Sequence, residues 1–224
     1  MQQLTAWSFS RWEAHSGPDG CPLFFKLKFL DKVEEPGSPA MARGNRVHQE
    51  IAAYLTNRGA PPPETKNFMV LLEQARQFED KVVEQQWGFT SKFKPTTWFG
   101  KETWFRAILD LALMYEDWTG EAIDLKTGKR YGVSKEQVQL FGAAFLWKYP
   151  TVQKVTTRLW YLDESAPNNE LIDEVKREEL PAIEADWQRA VAPMFSDQTF
   201  LPRPGRKCAR CFYSKSQTGR CKFG

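Results

Sequence analysis

No apolar run in this chain approaches the roughly 20 residues that a bilayer-spanning helix needs. The N-terminus also lacks the basic-then-apolar order of a signal peptide. These two absences lead us to expect a cytoplasmic protein with no membrane partner. There is no glycine-rich phosphate loop and no helicase motif, which argues against an ATP-driven motor. No Ser-His-Asp or Cys-His set stands out, so covalent nucleophilic catalysis is not expected. Internal repeats and low-complexity tracts are missing as well. Histidine is scarce, with only His15 and His48, and we assign no role to His15. The formal net charge is only +3, too small by itself to indicate a nucleic-acid partner.

What is present suits one folded domain spanning 1–224. Apolar residues make up 42% and charged residues 26%, ordinary values for a chain able to bury a sizeable core. Nine Trp and sixteen Phe make it aromatic-rich; most should be core, and some could stack on unpaired bases. Charge is unevenly placed: from Arg203 to Gly224 there are Lys and Arg residues but no acid, so this end could follow phosphates.

Four parts are expected along the chain. Residues 1–95 read as helical, with a helix from Met41 to about Asn57 carrying Val47, Ile51 and Leu55 on one stripe. A second helix is expected over 66–86, from the spacing of Leu71, Leu72, Ala75, Phe78 and Val82. Residues 96–163 change period and read as a catalytic sheet with a helix: strands over 97–105, 106–115 and 121–126, a helix over 134–149, and a strand over 155–162. The last strand should return through that helix to lie parallel to a neighbour. A long helix from about Leu171 to Phe195 fills 164–200, and 201–224 is a basic tail containing cysteines. The class is α/β, a mixed sheet flanked by helices.

The most informative stretch joins Asp110 to Asp124-Leu125-Lys126. Both carboxylates sit in apolar, strand-like runs, where an unpaired charge is costly to bury. Strand alternation puts Asp124 and Lys126 on one face. Two carboxylates and an ammonium converging there suit a hard divalent cation and a water poised to attack phosphorus.

Five segments in order carry a resemblance: Ser10 with Cys21-Pro22; Gly44-Asn45-Arg46-Val47-His48; Ile108-Leu109-Asp110; Ile123 to Lys129; and Gln137 to Phe141. Together they resemble the PD-(D/E)XK nuclease superfamily, specifically its RecB-like branch of phage and CRISPR-associated exonucleases. The resemblance implies a restriction-endonuclease-like core and a Mg2+- or Mn2+-dependent deoxyribonuclease. It would be an exonuclease acting on DNA ends with a preference for single strands. Asp110, Asp124 and the Leu125 carbonyl would hold the metal with His48, and Lys126 would position or deprotonate the attacking water. Gln137 would face the site. Phe141 stands where relatives carry Tyr, so its ring could stack on DNA but not donate a hydrogen bond. Lys129, Arg130, Arg43 and Arg11 could contact phosphates, and Glu102 could extend the acidic site. Protein partners in recombination, replication or CRISPR adaptation would fit such an enzyme. The alternatives are a structure-specific endonuclease and a non-catalytic DNA-binding or assembly subunit.

Cys21, Cys208, Cys211 and Cys221 match the one-plus-three set on which some RecB-like nucleases carry a 4Fe–4S cluster, here with a longer gap before Cys221. Thiolates also suit zinc, and a tail without metal is the third reading.

Overall fold

The computed structural model describes residues 4–128 and 135–224. The chain opens with two short helices, α1 (Phe9–His15) and α2 (Pro22–Phe25), the second running on into a wider turn over Lys26–Leu30. Helix α3 (Pro39–Leu55) begins where Ser38 accepts the Met41 N–H at 3.1 Å and Pro39 sets the first helical φ. Its buried residues Val47, Ile51, Tyr54 and Leu55 recur at helical spacing and face the sheet. Helix α4 (Met69–Gln77) packs beside it.

Six strands follow: β1 (Lys81–Phe89), β2 (Pro95–Thr96), β3 (Phe105–Met114), β4 (Thr119–Lys126), β5 (Lys154–Tyr161) and β6 (Glu170–Lys176). Helix α5 (Lys135–Lys148) lies between β4 and β5, and α6 (Leu180–Ser196) follows β6. The sheet order is β2-β1-β3-β4-β5-β6. Among the six strands of the described residues only β4 and β5 pair in parallel, through the expected crossover by α5. One face packs against α5, α6 and the N-terminal segment, around Trp7, Phe105, Phe145 and Trp187. The other packs against α3 and α4, around Ile51, Leu72, Leu111 and Trp160.

Helix α5 is apolar almost all round because it is enclosed: Leu140, Phe141, Ala143, Ala144, Phe145 and Leu146 are all buried. Gly142 lets it approach β6 closely, since a Cβ there would stand 2.6 Å from Val175 Cγ2. Among the described residues, no helix is long and apolar enough to cross a membrane.

Three expectations need correction. The helix expected over 66–86 ends at Gln77, where Phe78 turns extended (φ −69°, ψ 130°), and Lys81–Phe89 is a strand paired to β3. The segment 1–95 is therefore not wholly helical. The strand expected over 97–105 is mostly turn; strand structure covers only Pro95–Thr96 before β3 begins at Phe105. The long helix expected from Leu171 starts at Leu180, because Glu170–Lys176 forms the edge strand β6. Its spacing of Leu171 and Val175 imitates a helical stripe.

Candidate metal centre

The β3–β4 ladder runs from Met114↔Gly120 to Leu111↔Ile123 and stops there. One residue further along this register, Asp110 and Asp124 would face each other, and the strands part at that point. Asp110 Oδ2 accepts the Leu125 N–H at 2.6 Å, a side-chain acceptor where the main-chain ladder has ended. A residue's N–H and C=O point to the same side of a strand, so the Leu125 carbonyl is aimed into this gap too.

On the other side of β3, the pairing with β1 skips one position. Val83↔Leu111 and Gln85↔Leu109 are paired, and Glu84, opposite Asp110, is not. Glu84 has a left-handed backbone (φ +49°), a conformation costing about 1–3 kcal/mol that tends to persist at functional positions. The facing of β3 switches here: Leu109 belongs to the layer with α5, whereas Leu111 belongs to the layer with α3. The kink turns the Asp110 carboxylate toward His48 on α3.

Helix α3 supplies His48. Its Nδ1 lies 3.2 Å from Asp110 Oδ1 and 3.6 Å from Glu84 Oε1. The Asp110 and Glu84 hydrogen bonds push the imidazole pKa up to about 10, against the opposing effect of burial. Gly44, one turn earlier, brings α3 close to the end of β4: a Cβ there would meet Thr127 Oγ1 at 3.1 Å.

Asp110 and Asp124 are each only 7% exposed. Burial raises the Asp124 pKa and the neighbouring Asp110 raises it further, while Lys126 and His48 pull it down. Lys126 Nζ stands 2.6 Å from Asp124 Oδ2, so the alternation read from sequence places them together. That ion pair is poorly aligned, and Asp124 Oδ2 accepts no hydrogen bond among the described residues. At Lys126, burial is the largest single influence and acts to lower the pKa, but the charge and hydrogen bond of Asp124 together with the charges of Asp110 and Tyr161 make the net shift upward.

The ligand atoms of His48, Glu84 and Asp110 all lie within 4.8 Å of one another. With the under-bonded Asp124 oxygen beside them, this oxygen-rich donor set with one imidazole fits a divalent cation. Glu84 was missed by the sequence reading, which looked to Glu102. Glu102 lies exposed in the turn before β3. A signal was present: Val82-Val83 and Trp87-Gly88-Phe89 are strand-like, and reading them so puts Glu84 on a strand next to Asp110.

Other expected site residues sit differently. Gln137 is buried in the first turn of α5. Phe141 is 8% exposed and lies within the core under the sheet, so its ring is not available to stack on DNA. The Arg43 guanidinium is already engaged, donating to both Asp163 oxygens at 2.7 and 2.6 Å, with Glu64 Oε1 at 3.3 Å from Nε. Asp163 also accepts the Gly128 N–H at 2.6 Å, so Arg43 ties α3 to the turn after Lys126. Lys129 and Arg130 lie outside the described residues.

The cysteines converge from both ends of the chain. The Cys211 thiol pKa is raised by burial and then by the charges of Cys21, Cys208 and Cys221. Backbone N–H groups point at two sulfurs: Arg203 N to Cys21 Sγ at 3.3 Å, and Gly205 N to Cys208 Sγ at 3.4 Å. Among the described residues, no three of these sulfurs lie within 4.8 Å of one another. Tyr213 anchors the tail, buried and donating from its hydroxyl to the Val33 carbonyl at 3.0 Å.

Comparison with known proteins follows the same lines. Residues 69–216 match the PD-(D/E)XK nuclease superfamily. Two solved structures share the fold. A "Putative exonuclease" from Eubacterium rectale aligns with a TM-score of 0.51 at 12% identity, covering 93% of this chain and 88% of its own. SSO0001 aligns with a TM-score of 0.50 at 13% identity, covering 95% and 86%. No curated protein matches the chain. With the match spanning more than half of the sequence, and the split strands carrying Asp110, Asp124 and Lys126 inside it, the chain belongs to the PD-(D/E)XK nuclease superfamily.

Proposed function

We propose that the chain is a metal-dependent deoxyribonuclease that hydrolyses phosphodiester bonds at DNA ends, with a preference for single strands. The observation that carries this reading is the convergence of His48, Glu84, Asp110, Asp124 and Lys126 at the point where β3 and β4 part. Asp110, Asp124, the Leu125 carbonyl and His48 would hold magnesium or manganese, with Glu84 completing or steadying the set. Such a cation supplies Lewis-acid polarisation of a phosphate oxygen and a more acidic water. The protein does the rest. Asp110, bonded to the Leu125 N–H, keeps the two strand ends in register. Lys126, held by Asp124, presents its ammonium to the attacking water and offsets charge growing on the phosphoryl oxygens. Gln137, inward on α5, steadies this end of the site.

The four cysteines are assigned a 4Fe–4S cluster with a structural role. Backbone N–H groups directed at sulfur support this, since such bonds stabilise thiolates on a cluster. Tetrahedral zinc, at about 2.3 Å from each sulfur, would draw the sulfurs to about 3.8 Å apart, closer than the arrangement here.

End-labelled single- and double-stranded DNA, incubated with magnesium, manganese or EDTA, tests the chemistry. Stepwise shortening from the ends, stopped by EDTA and by Asp124→Ala, is expected. An Asp124→Ala protein that degrades DNA as fast as the parent removes the assignment. Anaerobic purification with a visible spectrum and iron and zinc analysis tests the cysteines, and a colourless protein with stoichiometric zinc removes the cluster.

A further inference from the structure

Helix α3 covers its face of the sheet from Leu111 onward, but the same face upstream of Asp110 is left open by the described residues. Ile108 is 41% exposed there, and Gln86, its partner across the ladder, is exposed too. Alternation places Arg106 and Ile108 on this open face, because Phe105, Ala107 and Leu109 are turned toward α5.

The open strip ends at an aromatic pair. Phe99 is 83% exposed, the most exposed large apolar side chain among the described residues, and Trp98 beside it is only partly buried. Arg106 Nε donates to the Trp98 carbonyl at 2.9 Å. This leaves the guanidinium 5.4 Å from the Trp98 ring centre and 5.5 Å from that of Phe99, within cation–π range of both. Arg11 lies nearby: its Nη1 donates to the Ala6 carbonyl at 2.7 Å, next to Trp7, whose carbonyl accepts the Arg106 N–H at 2.9 Å, and its pKa is lowered by burial and then by the charge of Arg106. Among the described residues, neither arginine forms an ion pair with a carboxylate. Two close guanidiniums without an acid between them repel each other, and an anion relieves that repulsion. Arg106 is four residues from Asp110, about 13 Å at strand rise. That distance spans about four nucleotides at the 3.4 Å spacing of a stacked strand, and fewer if the strand is extended.

We infer that Trp98, Phe99 and Arg106, with Arg11 beside them, form a stacking platform for unpaired nucleobases of a DNA strand whose scissile phosphate lies at Asp110. The rings take the bases and the guanidiniums take the phosphates. Bases inside a duplex cannot use the platform, because they are already stacked on one another. The platform rests on the proposed nuclease function and gives it a physical source for single-strand preference.

The test is binding of fluorescein-labelled oligothymidylate and of a blunt duplex in EDTA, with metal-dependent cleavage by the parent measured alongside. Trp98→Ala/Phe99→Ala should weaken single-strand binding by about tenfold or more and leave duplex binding nearly unchanged. Phe99→Trp should retain the parent's affinity. An oligonucleotide made abasic roughly two to five nucleotides from its end should bind the parent as weakly as the intact oligonucleotide binds the double variant. Trp118→Ala, an exposed aromatic in the hairpin at the other end of β3, should change nothing. A double variant with the parent's single-strand affinity overturns the platform, as does an equal loss on duplex. If the parent cleaves DNA in either case, the nuclease reading stands without it. A parent that neither binds nor cleaves DNA overturns both.

Discussion

The acidic centre and the cysteine group both assemble residues distant in sequence, but by different means. Asp110 and Asp124 sit on adjacent paired strands, and His48 arrives on a helix packed over them, so the fold fixes their geometry. The cysteines come from a helix cap near the N-terminus and from turns in the tail, all partly exposed. The first site concentrates buried charge in a rigid sheet. The second, if bridged by the proposed cluster, would close a loop of nearly the whole chain, which constrains the unfolded chain more than it shapes the native one. Removing a residue from the first should therefore cost chemistry and spare the fold, and removing one from the second should do the reverse.

The largest expected effect is at Asp110. Asp110→Ala should lower metal-dependent cleavage by on the order of a hundredfold to a thousandfold. Its melting temperature should fall less than that of the cysteine variant below, because relief of a crowded, buried carboxylate pair offsets loss of the acceptor for the Leu125 N–H. A collapse in thermal stability would break the comparison. Cys208→Ala/Cys211→Ala should bleach any visible absorbance and lower the melting temperature by about 4 °C or more. The fraction still folded should cleave DNA much as the parent does. Loss of cleavage at unchanged melting temperature would mean that the cysteines serve the chemistry.

Glu84→Gln separates ligand from spectator. It should weaken manganese affinity by about tenfold, measured by titration calorimetry, because it removes a charge facing His48. The smallest effect is at Asp163, whose carboxyl is held below its ordinary range mainly by the Arg43 hydrogen bonds. Asp163→Asn should cost about 1 kcal/mol in urea unfolding at pH 7. A depressed folded pKa stabilises the protein above the unfolded value and loses that contribution as pH falls through the folded value. The gap between parent and variant should thus be full at neutral pH and close below about pH 4.

Much of the centre was legible because its residues obey strand rules. Asp124 and Lys126 alternate onto one face, and the apolar runs around both aspartates mark buried strands. Gly44 and His48 lie one turn apart on a helix whose stripe is plain. Glu84 was not legible, because Phe78 and Val82 prolong the helical spacing of α4 past its end at Gln77. Only tertiary pairing to β3 turns that segment into a strand. β6 was hidden for a related reason: as an edge strand it buries only Val175, so alternation is nearly silent. Phe141 shows the limit of reading a motif by position, since enclosure of α5 on all sides puts the ring in the core. Arg43 looked like a free basic residue until Asp163, 120 positions away, arrived beside it.

The central claim is that one divalent cation sits among His48, Glu84, Asp110 and Asp124 where β3 and β4 part. Crystals soaked in manganese chloride, with anomalous data collected near the manganese edge, test it directly. The account predicts one dominant peak within coordination distance of both aspartates and of His48. Manganese bound elsewhere, with these side chains still paired to one another, would contradict it.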